Sequence, residues 1–92
     1  MIPTHNLKWY RKKAELSQQD VATLLNITPQ TLNRYENGSR DPTLEVTIAY
    51  HILFSVPIHE LYAPQYKEMK HKLVQRGKNL ITHLLFSEFR QH

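Results

Sequence analysis

Residues 16–38 read LSQQDVATLLNITPQTLNRYENG, and this stretch decides the fold. Ser17, with an acid three residues later, forms a capping-box pattern that starts a helix. Asn26 interrupts the apolar run, and because asparagine tolerates positive φ, a helix end and a sharp turn are expected there. Thr28-Pro29 starts the next helix, since threonine caps well and proline costs nothing at the first helical position. Leu32 and Tyr35 are expected to face inward on this helix. Asn37-Gly38 ends it. The stretch predicts two short helices joined by a tight turn.

Helical signals continue on both sides of this stretch. Before it, Leu7, Tyr10 and Ala14 recur at spacings of three and four, which predicts one buried stripe on a first helix. After it, Thr43 can cap a fourth helix that runs to about Ser55. The apolar positions of that helix are Leu44, Ile48, Ala49, Ile52 and Leu53.

The last part of the chain predicts more helix. Pro57 opens a short fifth helix, and Pro64 interrupts the chain again. Between Gln65 and about Gln91 there is no proline and a single glycine, so one long or kinked helix is expected. The sequence therefore predicts an all-α protein. Its parts are a five-helix domain over residues 1–63 and a helical segment over residues 64–92.

Composition and charge narrow the class of protein. At 92 residues the chain has room for one small domain and an added element. The absence of cysteine excludes disulfides and thiolate metal sites, and no apolar run approaches the ~20 residues of a membrane span. We therefore expect a cytoplasmic protein without contact to a membrane. The net charge of +4 lies entirely in residues 64–92, because residues 1–63 hold six basic and six acidic residues.

The motif around the predicted turn resembles the XRE family, the lambda-repressor-like helix-turn-helix domains of phage and bacterial repressors. The resemblance covers roughly residues 5–62 and implies a five-helix DNA-binding domain. Its second motif helix would enter the major groove of DNA. Asn26 stands where the family usually has glycine, a substitution that the turn accommodates. The residues that carry the resemblance are Leu16-Ser17-Gln18, Val21-Ala22, Asn26-Ile27-Thr28, Tyr35-Glu36-Asn37-Gly38 and Arg40 with Pro42.

The resemblance also implies roles for polar residues. Base contacts would come from the start of the recognition helix, and the expected residues are Thr28, Pro29, Gln30, Asn33 and Arg34. A glutamine can pair bidentately with adenine and an arginine with guanine. Phosphate contacts would come from the start of the second helix and from the loop after the recognition helix. The expected residues are Gln18, Asn37, Ser39, Arg40 and Thr43.

Charged and aromatic residues of the first predicted helix are consistent with a DNA-binding domain. The resemblance implies a buried pair of Arg11 with Glu36, which would fix the orientation of the recognition helix. Lys8, Lys12 and Lys13 are expected to be ordinary surface charges that add long-range attraction to DNA. Trp9 lies off the Leu7 stripe, and we expect it to be a partly buried packing residue.

The segment beyond Pro64 exceeds what the family's minimal domain needs. A helix this apolar must either fold back on its own domain or pair with a second chain. Pairing is favoured, because family members generally read palindromic operators and a symmetric dimer places two recognition helices one DNA turn, ~34 Å, apart. The residues expected to form the dimer interface are Leu73, Leu80, Ile81, Leu84, Leu85 and Phe89.

Two other classes of function compete with DNA binding. None of the six histidines belongs to a HExxH or comparable pattern, and the chain lacks a glycine-rich phosphate loop and a serine elbow. An enzyme, a metal site and a cofactor are therefore not expected. The stronger alternative is an antitoxin or regulatory module that binds a partner protein or peptide through its C-terminal helix and regulates its own gene. The favoured hypothesis is a dimeric repressor that recognises double-stranded DNA.

Overall fold

The computed structural model describes residues 2–77, and this part of the chain is built from helices and loops. The helices are α1 (Leu7–Lys13), α2 (Gln18–Leu25), α3 (Pro29–Asn37), α4 (Leu44–Phe54), α5 (Ile58–Leu61) and α6 (Ala63–Gly77). α2 packs on α3, α1 on α3, α4 on α5, and α5 on α6. The prediction of an all-α fold with a helix after the five-helix domain is confirmed.

The ends of α2 have the geometry that the sequence predicts. The Ser17 hydroxyl accepts from the backbone N–H of Asp20 at 3.0 Å, and the Asp20 carboxylate accepts from the backbone N–H of Ser17 at 3.0 Å. This second hydrogen bond lowers the pKa of Asp20. Asn26 ends the helix at φ 57°, in the left-handed region. The capping box and the asparagine stop are both confirmed.

The next two helices are also capped by the predicted residues. Thr28 accepts from the backbone N–H of Thr31 at 3.1 Å, and Pro29 is the first residue of α3. Gly38 ends α3 at φ 82°. Thr43 accepts from the backbone N–H of Val46 at 3.2 Å at the start of α4. Each threonine supplies an acceptor to a helix end whose first N–H groups have no partner within the helix.

The core is formed by side chains from α1 to α5 and from the loop before α5. Leu32 and Tyr35 face inward from α3 as predicted, with 0% and 3% of their surface exposed. Ala22 is fully buried. The buried apolar residues are Leu7, Val21, Ala22, Leu32, Tyr35, Val46, Tyr50, Val56 and Leu61.

Two sequence predictions about these helices are wrong in detail. Ala14 is exposed because α1 ends at Lys13, and the buried position one turn after Leu7 is taken by Arg11. α6 starts at Ala63, two residues before the predicted start, since Pro64 is tolerated in a first turn. The boundary between the predicted segments at residues 63 and 64 thus falls within the first turn of a helix.

The apolar pattern of α4 does not coincide with its buried face. The face directed at the core carries Val46, Thr47 and Tyr50. Leu44 and Ile52 expose 73% and 69% of their surface, and Ile48 and Leu53 are also exposed. The helix is apolar on almost every side, so the sequence pattern alone could not identify the side that packs.

An N-terminal arm, residues 2–6, crosses the end of α3. A Cβ atom at Gly38 would lie 3.1 Å from the backbone N and Cα of Pro3, so the arm approaches α3 closely at this glycine. His5 is 7% exposed, its ring meets Tyr62 edge-on at 5.8 Å, and burial lowers its pKa below the ordinary value. Asn6 donates its backbone N–H to Leu61 at 2.8 Å. The arm therefore joins the end of α3 to α5.

α6 carries a stripe of apolar side chains that the rest of the described chain leaves half exposed. Tyr66, Met69 and Leu73 follow one another at spacings of three and four, and each exposes 42–45% of its surface. Leu73 is the one predicted dimer-interface residue in this region. The others, Leu80, Ile81, Leu84, Leu85 and Phe89, lie outside the described residues. None of the helices within residues 2–77 is long and apolar enough to cross a membrane.

A phenol in the core offers a test of the packing. The Tyr50 hydroxyl is buried and has no hydrogen-bond partner within residues 2–77, whereas the Tyr62 hydroxyl lies 2.6 Å from the Thr47 hydroxyl. Tyr50→Phe should raise the free energy of unfolding by about 1 kcal/mol, because it removes a polar atom that is buried without a partner. The matched variant Tyr62→Phe should lower it by about 1 kcal/mol. Urea denaturation measures both, and a loss of stability in Tyr50→Phe would contradict this account of the core.

Candidate nucleic-acid interface

α3 has one buried and one open face. Leu32 and Tyr35 hold it against the core, while Gln30, Asn33 and Arg34 are exposed on the opposite side. The open face is part of a shallow groove lined by Gln18, Pro29, Gln30, Asn33 and Arg34. Thr28, the remaining residue predicted to contact bases, is exposed at the first turn. The predicted base-contact residues thus lie together at the start and along one side of a single helix.

A buried ion pair fixes the other end of α3. Arg11 Nε donates to Glu36 Oε2 at 2.6 Å, and Arg11 Nη2 donates to Glu36 Oε1 at 2.9 Å. The two side chains are 8% and 2% exposed. The hydrogen bond to Glu36 raises the pKa of Arg11, so the guanidinium stays charged. The structure therefore brings together the two residues that the sequence pairs.

The same arginine and glutamate hold the start of α2. Arg11 Nη1 donates to the backbone carbonyl of Leu16 at 2.9 Å. The Gln18 side-chain amide donates to Glu36 Oε1 at 3.0 Å and to Asn33 Oδ1 at 3.1 Å. Both amide hydrogens of Gln18 are thereby used within the protein. A phosphate contact from this side chain requires giving up one of them, a constraint that no sequence signal reveals because it depends on the rotamer.

The loop after α3 is held by its own side chains. The Asn37 side-chain carbonyl accepts from the Ser39 backbone N–H at 2.9 Å and from the Ser39 hydroxyl at 2.6 Å. The Arg40 guanidinium lies 5.8 Å from the centre of the Tyr35 ring, and the Arg40 backbone N–H donates to the Arg34 carbonyl at 3.2 Å. Thr43 uses its oxygen as an acceptor for the cap of α4. All four predicted phosphate ligands of this region, Asn37, Ser39, Arg40 and Thr43, therefore also make contacts within the protein.

Donors that could face a phosphate remain in this loop. Within residues 2–77 the Asn37 amide nitrogen makes no hydrogen bond, and Arg40 forms no ion pair. The Thr43 hydroxyl also keeps its hydrogen free. Ser39 differs, because its hydroxyl already donates to Asn37. The loop can thus offer an amide, a guanidinium and a hydroxyl to an anion.

Comparison with known proteins agrees with this geometry. A family profile described as helix-turn-helix matches residues 7–61, which include α1 to α5. The chain belongs to the XRE-type helix-turn-helix family. This family comprises DNA-binding transcription regulators and is not an enzymatic one.

A curated relative of this helix-turn-helix chain is an uncharacterized HTH-type transcriptional regulator from Methanocaldococcus jannaschii. The two are 33% identical over 58 residues, which cover 63% of this chain and 88% of the relative. No solved structure matches the chain significantly. Within residues 2–77, the helix-turn-helix chain has no group of three histidine, aspartate or glutamate side chains placed to hold a metal ion.

The ion pair gives the helix-turn-helix domain a testable energetic signature. Arg11→Met and Glu36→Leu should each lower the free energy of unfolding by about 3–5 kcal/mol, because each leaves one buried charge without its partner. The double variant should lose much less than the sum of the two, since it replaces both charges with apolar groups of similar size. Urea denaturation of all four proteins gives the coupling energy. Additive losses would contradict a desolvated pair.

Proposed function

We propose that this helix-turn-helix chain is a sequence-specific repressor that binds double-stranded DNA as a homodimer in the cytoplasm. The observation that carries the proposal is the open face of α3. Gln30 and Arg34 lie one turn apart on it, both exposed, while Leu32 and Tyr35 anchor the opposite side in the core. Within residues 2–77 no acid pairs with Arg34. The helix therefore presents its unpaired polar groups in a rigid arrangement, as entry into a major groove requires.

Each residue of this face can be given a role. Gln30 would pair with adenine and Arg34 with guanine, and each contact would favour the right base by ~1–3 kcal/mol. Asn33 accepts from Gln18, which orients its amide group and leaves the amide nitrogen able to donate. Pro29 offers an apolar surface for a thymine methyl group, and Thr28 a hydroxyl at the first turn. Together they would read a short segment of one half-site.

The loop residues would hold the DNA backbone. Arg40, Asn37 and Thr43 keep donors that an anionic oxygen can accept. Asn37 is the last residue of the recognition helix, and the other two follow it. Ser39 would act indirectly, because it fixes the Asn37 side chain. At α2, the backbone N–H groups of the first turn would take the phosphate, while the Gln18 side chain holds Asn33 and Glu36.

Variants of Arg34 and Arg40 test base recognition and DNA-backbone binding separately. A site is first selected from random DNA duplexes with the parent protein. Arg34→Ala should then relax specificity at one base pair, at a cost of about 1–3 kcal/mol on the preferred site. Arg40→Ala should weaken binding to all sequences alike and reduce the slope of log K against log salt by about 1. Binding titrations at several salt concentrations measure both, and parental behaviour of both variants would refute the assignment of the recognition surface.

We further propose that residues 64–92 form a dimerisation segment attached to the DNA-binding domain of residues 1–63. The support is the half-exposed stripe of Tyr66, Met69 and Leu73 on α6. Monomeric proteins rarely leave continuous apolar stripes in water, and a symmetric pair would set two recognition helices one DNA turn, ~34 Å, apart on a palindromic operator. A partner protein at the same helix is the alternative occupant.

The exposed apolar face of α4 provides a matched control for this interface. Leu73→Lys should weaken the dimer by about tenfold or more, because it places a charge in the proposed contact, whereas Ile48→Lys should leave the dimer intact. Sedimentation equilibrium measures both dissociation constants. A monomer produced by Ile48→Lys alone would move the interface to α4. A monomeric parent would favour the alternative in which the C-terminal helix binds another protein.

A further inference from the structure

A second depression lies beside the recognition helix, on the flank of α1. Its walls come from α1, from the N-terminal arm and from the end of α3. We call it the α1 depression, and its lining residues are Pro3, His5, Asn6, Lys8, Trp9, Lys12 and Glu36. None of the residues proposed to contact bases or phosphates lines it.

The charge of the α1 depression is positive. Lys8 and Lys12 lie one turn apart on the same flank of α1, both are exposed, and neither forms an ion pair within residues 2–77. Glu36 contributes a carboxylate to the wall, but both of its oxygens are bonded to Arg11 and one also to Gln18. Its charge is thus balanced by a buried arginine, and the two ammonium groups remain uncompensated.

An aromatic ring borders these ammonium groups. Trp9 exposes 55% of its surface, more than a packing role requires. The Lys13 ammonium lies 4.8 Å from the centre of the ring, and the Tyr10 ring meets it edge-on at 4.8 Å. These contacts hold the indole in place. A fixed apolar ring beside two free lysines suits a ligand that alternates apolar sugar and anionic groups.

The α1 depression adjoins the proposed base-reading groove through one pair of hydrogen-bonded residues. Glu36 lines the depression, Gln18 lines the groove, and the Gln18 amide donates to Glu36 at 3.0 Å. A nucleic-acid strand that left the groove past Glu36 would reach Lys12 and Lys8, which line the same depression as Glu36. Lys13 lines a separate hollow with Tyr10, Ala14 and Phe54, although its ammonium group also lies against the Trp9 ring.

We infer that the α1 depression binds the sugar–phosphate backbone of DNA outside the bases read by α3. Lys8 and Lys12 pair with phosphates, and the Trp9 ring packs against the sugar between them. These contacts carry no sequence information but add affinity, since each neutralised phosphate releases counterions. The inference rests on the proposed function and extends the contact with DNA beyond the helix-turn-helix motif itself.

Single lysine variants of the full chain test the phosphate contacts. Lys8→Gln and Lys12→Gln should each reduce the slope of log K against log salt by about 0.9, equally on the selected site and on unrelated DNA. Lys67→Gln is the matched control, because it removes the same charge from an exposed position on α6 that does not line the α1 depression, and its slope should stay parental. Equal slopes for Lys12→Gln and Lys67→Gln would overturn the inference.

Trp9 supplies an independent readout, because it is the single tryptophan of the chain. Its fluorescence should be quenched by acrylamide, a neutral quencher, in the free protein and much less so when the selected duplex is bound. Unchanged quenching on bound DNA would also overturn the inference, while the function proposed for α3 would stand. Absence of any preferred duplex for the parent protein would instead remove the proposed function together with the inference.

Discussion

The bond between Arg11 and Glu36 is the interaction on which the arrangement of the first three helices depends. One guanidinium bonds to the end of α3 with two nitrogens and to the chain just before α2 with the third. Gln18 then links α2 to the same carboxylate. Since a buried charge without a partner is strongly unfavourable, these helices have one arrangement in which all the polar groups are bonded. The open face of α3 owes its fixed direction to this requirement.

Helix boundaries are set by a different kind of constraint. Ser17, Thr28 and Thr43 each give an oxygen to a first-turn N–H, and Asn26 and Gly38 turn the chain through the left-handed region. These bonds are local, so they determine where a helix starts or ends but not how it packs. Packing comes from the buried apolar residues, and the long-range ion pair then selects the relative orientation. The short helices of the motif need all three contributions, because helices of this length are marginal in isolation.

The difference between local bonds and long-range packing explains which features could be predicted from the sequence. Caps, turns and the inward side of α3 follow from residues close together in the chain, and each was predicted correctly. The buried side of α4 was not apparent, since Val46 and Tyr50 are no more apolar than the exposed Leu44 and Ile52. The prediction that Ala14 is a core residue was wrong, because α1 ends before it. At the candidate site, the positions of Gln30 and Arg34 could be predicted, but the bonds of the Gln18 amide could not, because they depend on which rotamer three helices leave open.

The burial of His5 has a thermodynamic consequence for the arm that covers the end of α3. Because desolvation lowers the pKa of this imidazole in the folded protein, the unfolded chain binds more protons there than the folded one does. The stabilisation from a neutral His5 is fully present above the ordinary histidine value of about 6.5 and is lost as the pH falls through the lowered value. Acidification therefore works against the folded state at the place where the arm packs its His5 ring against Tyr62.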